Sequence, residues 1–249
     1  WFPSLPPATR AITVRHLLTH TSGLIDYEDV IPPEMTRQLH DADVLAILEG
    51  QDRTYFPPGT SYRYSNSGYA LLALIVERAS GKSFATFLRE RIFQPLHMNN
   101  TVAHQEGIST VPHRAYGYTL ENGTWTLTDQ SQTSAVLGDG GIYLSIDDLA
   151  RWDAALYDAR LLSDDSRALL FTPATKTDDP AVEYGMGWRI TQERMGGTTL
   201  WHSGETRGFR NVIVRYPDEH MTVIVLTNRD DPEPYQTARA IAGVFLARK

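Results

Sequence analysis

The amino-acid sequence predicts an α+β fold, and three observations carry that expectation. Apolar residues in the first two thirds recur at helical spacing between long, turn-rich loops. The last third breaks into four short runs rich in β-branched and aromatic residues, separated by turn residues. The chain then returns to a helical period. An antiparallel meander covered by a terminal helix is half of a layered α+β domain.

The elements follow in order. Residues 13–19 read as a short helix stopped by Thr21-Ser22-Gly23. Residues 41–49 carry Val44, Leu45, Ile47 and Leu48, with Asp41 placed as the N-cap and Gly50 closing the helix. Phe56-Pro57-Pro58-Gly59 punctuates the next loop. Residues 67–79 are apolar almost all round and predict a deeply buried helix, ended by Ser80-Gly81. A second helix, over 83–93, breaks before Pro95.

Between 115 and 127 two short runs flank Asn122-Gly123, the signature of a two-residue hairpin. Ser145-Ile146-Asp147-Asp148 has the form of a capping box and opens a helix to about 158; another short helix covers 164–171. Strands are expected at 184–191, 198–202, 209–216 and 221–227, with turns at Gly196-Gly197 and Pro217-Asp218. The final helix, 234–247, places Ala238, Ile241, Ala242, Phe245 and Leu246 on one face. The chain thus divides into a mainly helical region over about 13–172 and C-terminal strands with their helix over about 184–249. It contains no internal repeat and no low-complexity segment.

Composition removes several functions. The 249 residues carry 23 Lys and Arg against 30 Asp and Glu, a formal charge of −7, and show no dense basic stripe. That balance argues against a protein that grips nucleic-acid phosphates. The longest apolar run, 69–76, is far short of the ~20 residues of a membrane span. With no cysteine, disulfide scaffolds, thiolate metal sites and cysteine nucleophiles drop out. The opening Trp-Phe-Pro-Ser-Leu-Pro-Pro has neither a basic n-region nor an apolar h-region, and the expectation is a processed, trimmed or partial chain.

Three short motifs carry the chemistry: Tyr64-Ser65-Asn66 ahead of the buried helix, the glycine cluster Gly138-Asp139-Gly140-Gly141, and His202-Ser203-Gly204 at a strand end. Each alone is commonplace, since such glycines usually only make a tight turn. Their order and flanks are not commonplace. His16-Leu17-Leu18-Thr19-His20-Thr21-Ser22-Gly23-Leu24 comes first, then Phe56-Pro57-Pro58-Gly59, then Tyr64-Ser65-Asn66-Ser67-Gly68-Tyr69. Gly140-Gly141 with Ser145 to Trp152, Tyr184-Gly185-Met186-Gly187-Trp188, and His202-Ser203-Gly204 running into Gly208-Phe209 follow.

In that order they resemble the serine β-lactamase-like hydrolases: class C β-lactamases, DD-peptidases, D-aminopeptidases and related esterases. The resemblance runs from about Ile12 to the C-terminus. It implies an antiparallel sheet flanked by helices, a largely helical inserted region, and an active site in the cleft between them. It also implies a Ser-x-x-Lys nucleophile that is acylated by an amide, lactam or ester carbonyl and released by water. Tyr64 would be the general base or proton relay, and Asn66 would offer its amide to the substrate. His202, Ser203 and Gly204 would line the cleft, and the Glu205 backbone N–H would be an oxyanion donor.

A tyrosine of ordinary pKa, ~10, needs a neighbouring cation to act as a base at neutral pH. The family lysine would supply one, and His202 a second when protonated. His202 and Ser203 could alternatively bind a substrate carboxylate. β-Lactamases of the family usually carry Lys where this chain has His202, so the resemblance leans to the DD-peptidase, D-aminopeptidase and esterase branches. The expected partner is a small-molecule or peptide substrate, with no cofactor. Family members are often exported, which points to a periplasmic or extracellular setting.

No Ser in the sequence is followed three positions later by Lys, and there is no Gly-x-Ser-x-Gly elbow. In the family the nucleophile lies a few dozen residues upstream of the segment matching His16 to Leu24. The expectation is therefore an N-terminal segment, with the nucleophile helix and the first strands, that is separate from this sequence and packs against it. Without it the C-terminal meander would show an unpaired edge and an uncovered apolar face.

The alternative is a non-catalytic, penicillin-binding-like relative or a fragment lacking the nucleophile. A metal hydrolase fits poorly: His16 and His20 are spaced for one helical face, but no Glu lies between them and no third ligand is evident. Asp26, Tyr27, Asp139 and Glu205 read as turn and surface groups. Arg207 and Arg210 are candidates for a substrate carboxylate, and Trp152, Trp188 and Trp201 read as core or cleft-wall aromatics.

Overall fold

Small polar residues cap most of the helices, each satisfying an N–H that the first turn leaves unpaired. The computed structural model describes residues 1–193, 197–231 and 233–247. In it α1 (Val14–Leu18) starts at Thr13, whose hydroxyl accepts from the His16 N–H. Helix α2 (Asp41–Glu49) covers the expected residues, but its N-cap is His40 and not Asp41. Asp41 is instead buried, because its carboxylate is drawn to backbone donors of the glycine cluster. Helix α3 (Asn66–Ser80) is capped by Ser65, which accepts from the Gly68 N–H at 3.1 Å. The helix expected over 83–93 is α4 (Phe84–Leu88), followed by one π-helical turn, Arg89–Phe93.

Strand β1 (Val102–Ala103) pairs later with β4 (Ile142–Tyr143). Between them β2 (Tyr118–Glu121) and β3 (Thr124–Leu127) form the hairpin. Asn122 and Gly123 both have positive φ, 51° and 80°, as a type I′ turn requires. Helix α5 (Ile146–Ala155) is capped by Ser145 and stops short of 158; α6 (Asp164–Phe171) follows.

The sheet is wholly antiparallel. Its strands are β5 (Thr175–Lys176), β6 (Val182–Tyr184), β7 (Arg189–Gln192), β8 (Thr198–Thr206), β9 (Phe209–Tyr216) and β10 (Met221–Thr227), in the order β10-β9-β8-β7-β6-β5. The single strand expected over 184–191 is two. Gly185 N–H donates to Trp188 C=O at 2.8 Å, and Gly187 sits at φ 83°, so the Gly-Met-Gly segment turns the chain. The strand expected to end at His202 runs on to Thr206, which places the third motif inside β8. Of the expected Gly196-Gly197 turn, Gly196 lies outside the described residues.

Helix α7 (Pro234–Leu246) packs Ala238 and Ala242 on Val212, Val214 and Val223 of the sheet. The opposite sheet face receives Leu156, Trp188 and Trp152. A third core lies in the helical region, where Leu17, Tyr27, Val44, Leu71 and Leu74 pack together. Burying a side chain such as Leu71 stabilises by about 1.5–3 kcal/mol.

The face expected of α7 is divided. Ala238 and Ala242 are buried, whereas Ile241 and Phe245 are 41% and 59% exposed, with Val244 beside them at 56%. Ala238 and Ala242 face the sheet and Leu246 packs beside them, while Ile241, Val244 and Phe245 are left outside. Among the described residues β10 pairs with β9 alone, so its outer edge is open. No helix among them is long and apolar enough to cross a membrane.

Candidate active site

The cap of α3 fixes the first motif. Ser65 turns its hydroxyl to the helix, so Tyr64 and Asn66 flank the cap. The Ser67 hydroxyl accepts from the Tyr27 N–H and donates to the Ile25 carbonyl, both at 2.9 Å. That pair ties the start of α3 to the chain leaving Thr21-Ser22-Gly23. The Asn66 amide donates to Glu28 at 3.0 Å.

His20 lies beneath Tyr64, with ring centroids 4.2 Å apart, and its Nδ1 accepts from the Ser65 N–H at 3.0 Å. Helix α1 ends at Leu18, and His20 stands beyond it at φ 55°, so His16 and His20 do not share a helical face. His16 Nδ1 accepts from the Thr13 N–H instead, and His20 Nε2 faces the Tyr184 hydroxyl at 3.0 Å. The two rings are engaged separately, which overturns the paired-ligand spacing.

The sheet brings the third motif to the same place. Strand β7 ends its pairing at Arg189, opposite Trp201, while β8 continues to Thr206 on β9 alone. His202, Ser203, Gly204 and Glu205 therefore lie along a free edge of β8. Tyr64 and His202 face each other with ring centroids 6.0 Å apart. Backbone N–H groups on such an edge are available to a substrate carbonyl.

The glycine cluster supports this arrangement from behind α3. A Cβ at Gly138 would lie 2.4 Å from the Tyr69 carbonyl oxygen, so only glycine permits the approach. Asp41 accepts from the Leu137 and Gly138 N–H groups at 3.1 and 2.9 Å. Asp139 accepts from the Tyr27 hydroxyl at 2.7 Å, and Tyr27 is fully buried. Neither is the surface group its sequence position suggested: both face inward because each is the other's partner. Asp26 does cap a turn, accepting from the Glu28 N–H.

Burial dominates the electrostatics. It pulls His20 down to about 3, with His202 and Arg189 adding to the effect. It pulls His202 down to about 4, against the hydrogen bond to Ser203. Both imidazoles are neutral at pH 7, so His202 is not the second cation expected beside Tyr64. Tyr64 keeps 38% of its surface accessible from the cleft, yet the protein around it pushes its phenol up to about 12. Arg189 opposes that rise and is outweighed. Only about one Tyr64 in 10⁵ would be phenolate at pH 7, so the base role needs another cation.

Burial also pushes Asp139 up to about 8 and Asp41 up to about 6. Both bind their protons more tightly folded than unfolded. Their favourable contribution is therefore present at low pH and lost as pH rises through 6 and 8. The histidines act oppositely, adding stability as pH climbs toward their unfolded value of 6.5. Asp139→Asn keeps an acceptor for Tyr27 and removes the titration. Its urea midpoint should gain on the unmodified protein as pH rises from about 4 to 9. A difference between the two midpoints that does not shift in the variant's favour over that range would show that Asp139 ionises normally.

Glu205 pairs through its side chain with Arg210, which also donates to the Asp230 carbonyl. Arg210 is thus engaged within the fold and not free for a substrate carboxylate, while Arg207 is exposed. Trp188 is buried and stacks on Trp152, and Trp201 stacks on Tyr235, as core aromatics. A separate concavity of about 340 Å³, lined by Tyr118, Trp125, Asn228 and Arg229, contains none of the motif residues.

Three contributors carried no distinguishing signal in the sequence: His20, Tyr184 and Asp139. Each sits within a quoted motif, but its partner lies far away in the chain.

A family model described as Beta-lactamase matches residues 1–247. The chain is 33% identical to penicillin-binding protein 4* of Bacillus subtilis, covering 96% of this chain and 55% of that protein. It is 28% identical to a D-aminopeptidase of Gluconobacter oxydans, covering 92% and 44% respectively. In structure it is similar to the octameric penicillin-binding protein homologue from Pyrococcus abyssi. The TM-score is 0.86 at 25% identity, over 99% of this chain and 58% of that one. The chain spans about half the length of the curated relatives it matches.

Proposed function

The chain belongs to the β-lactamase family and has the β-lactamase/transpeptidase-like fold, and on that premise we propose that it forms the greater part of a serine hydrolase. The reaction is acyl transfer through an acyl-enzyme on an amide, peptide or ester carbonyl. DD-peptidase, D-aminopeptidase or esterase activity is favoured over efficient β-lactamase activity. The observation that carries this reading is the meeting of Tyr64 and His202, 6.0 Å apart, at the free edge of β8. A neutral imidazole where β-lactamases usually carry Lys favours the peptidase and esterase branches, as do relatives named penicillin-binding protein and D-aminopeptidase.

The nucleophile comes from a Ser-x-x-Lys segment of the same protein outside this sequence. The open β10 edge and the exposed Ile241, Val244 and Phe245 of α7 offer that segment a strand partner and an apolar seat. Its lysine supplies the cation that Tyr64 lacks here. Tyr64 then accepts the serine proton as the carbonyl is attacked and returns one to the leaving group. The developing oxyanion is held by backbone N–H groups, that of Glu205 among them, and Asn66 holds the substrate amide. The setting is periplasmic or extracellular.

The test is incubation of the full-length protein with a fluorescent penicillin, a p-nitrophenyl ester and a D-alanyl p-nitroanilide. The expected result is a covalent serine adduct with the first and turnover of at least one of the others. With neither adduct nor turnover, the non-catalytic, penicillin-binding-like reading replaces this one.

A further inference from the structure

Beneath the cleft, a buried hydrogen-bond chain joins the first motif to the third, and its polarity can be assigned from end to end. The Ser65 backbone N–H can only donate, so His20 Nδ1, at 3.0 Å, is an acceptor. A neutral His20 then carries its proton on Nε2 and donates to the Tyr184 hydroxyl at 3.0 Å. At the far end the Ser203 carbonyl can only accept, so His202 Nδ1, at 2.7 Å, is an N–H donor. That leaves His202 Nε2 as an acceptor, facing the Tyr184 hydroxyl at 3.1 Å. Tyr69, the other hydroxyl beside Tyr184, gives its proton to the Leu18 carbonyl. Only one arrangement gives every member a partner: Tyr184 receives from His20 and donates to His202.

We infer that His20 and Tyr184 are positioning residues, which lock the Tyr64-Ser65-Asn66 cap and the His202-Ser203 edge into one unit across the boundary between helical region and sheet. The chain ends on the backbone of each motif, and the Tyr64 ring rests on His20, so a shift of either motif breaks a buried bond. Both nitrogens of His202 are consumed by the chain. His202 is therefore a neutral wall of the cleft and gives no N–H to the substrate. The catalytic consequence rests on the proposed hydrolase reading; the chain of hydrogen bonds does not.

The test uses the full-length protein with ¹⁵N-labelled histidine. At pH 7 the spectra should show His20 as the Nε2–H tautomer and His202 as the Nδ1–H tautomer. In Tyr184→Phe, which keeps the ring, the His202 Nε2 resonance should move downfield as its lone pair loses a donor. His20 should keep its tautomer, still held by the Ser65 N–H. In the same variant kcat should fall about tenfold, the worth of roughly one buried hydrogen bond, with KM changed by less than about twofold.

His202 found as the Nε2–H form, or a His202 signal unmoved by Tyr184→Phe, overturns the chain. A moved signal with unchanged kcat overturns the positioning role. A parent protein that turns over no substrate defeats the hydrolase reading, while the spectra still decide the chain. If Tyr184→Phe does not fold, the tautomers of the unmodified protein decide.

Discussion

Tyr64→Phe in the full-length protein should lower kcat by about 10²–10⁴-fold while leaving the melting temperature nearly unchanged. The ring of Tyr64 rests against His20 at 4.2 Å, and among the described residues its hydroxyl has no hydrogen-bond partner, so phenylalanine keeps the packing and removes only the hydroxyl proposed to accept the proton. Within the described chain the phenol is held up at about 12 and both nearby imidazoles are neutral. The hydroxyl therefore has no structural duty to which a loss of rate could be ascribed. Single-turnover acylation by a p-nitrophenyl ester reads the effect most directly. A decrease below about fivefold would remove Tyr64 from the proton-transfer step, since even modest acid–base catalysis exceeds it.

Asp153→Ala should cost about 3–5 kcal/mol of folding stability, the range for stranding one partner of a buried ion pair. Arg215 on β9 is 1% exposed and donates its Nε to Asp153 of α5 at 2.5 Å. Thr222 of β10 donates to the second carboxylate oxygen at 2.9 Å. The guanidinium lies 4.5 Å from the Tyr157 ring centre and 5.1 Å from that of Phe171, a dry aromatic box. Among the described residues its Nη2 has no hydrogen-bond partner, so Asp153 supplies most of its compensation. Removing the carboxylate leaves a charge where water cannot follow.

The double variant Arg215→Met with Asp153→Leu should recover most of the loss, because it removes the charge as well as its partner. Urea unfolding of the three proteins separates the cases. A single-variant loss under about 1 kcal/mol, the scale of exposed pairs, would mean that water reaches Arg215.

Local chemistry made much of the fold readable. Asn122-Gly123 marked the hairpin because only a few residue pairs tolerate two positive φ angles in succession. Ser145 marked α5 because a hydroxyl at that place satisfies a first-turn N–H. The errors occurred where a distant partner overrode a local preference. Asp41 looked like a cap, but the Leu137 and Gly138 N–H groups drew it inward. Ile241 and Phe245 were placed on one helical face with Ala238, Ala242 and Leu246, but only the latter three pack on the sheet. The run 184–191 looked like one strand, but two glycines folded it at a turn.

The candidate site divides in the same way. The identity and order of Tyr64, Asn66, His202 and Ser203 were present in the chain as written, because side-chain chemistry and motif spacing are properties of sequence. Charge state was not. His202 was expected to be a cation when protonated, and the fold makes it neutral by excluding water, against the hydrogen bond to Ser203. His20 was weighed as a metal ligand, yet its nitrogens meet Ser65 and Tyr184, 45 and 164 residues away. Periodicity, caps and turns act over a few residues and survive in a one-dimensional reading. Desolvation and the direction of a hydrogen bond depend on what surrounds an atom in space, and only the folded chain supplies that.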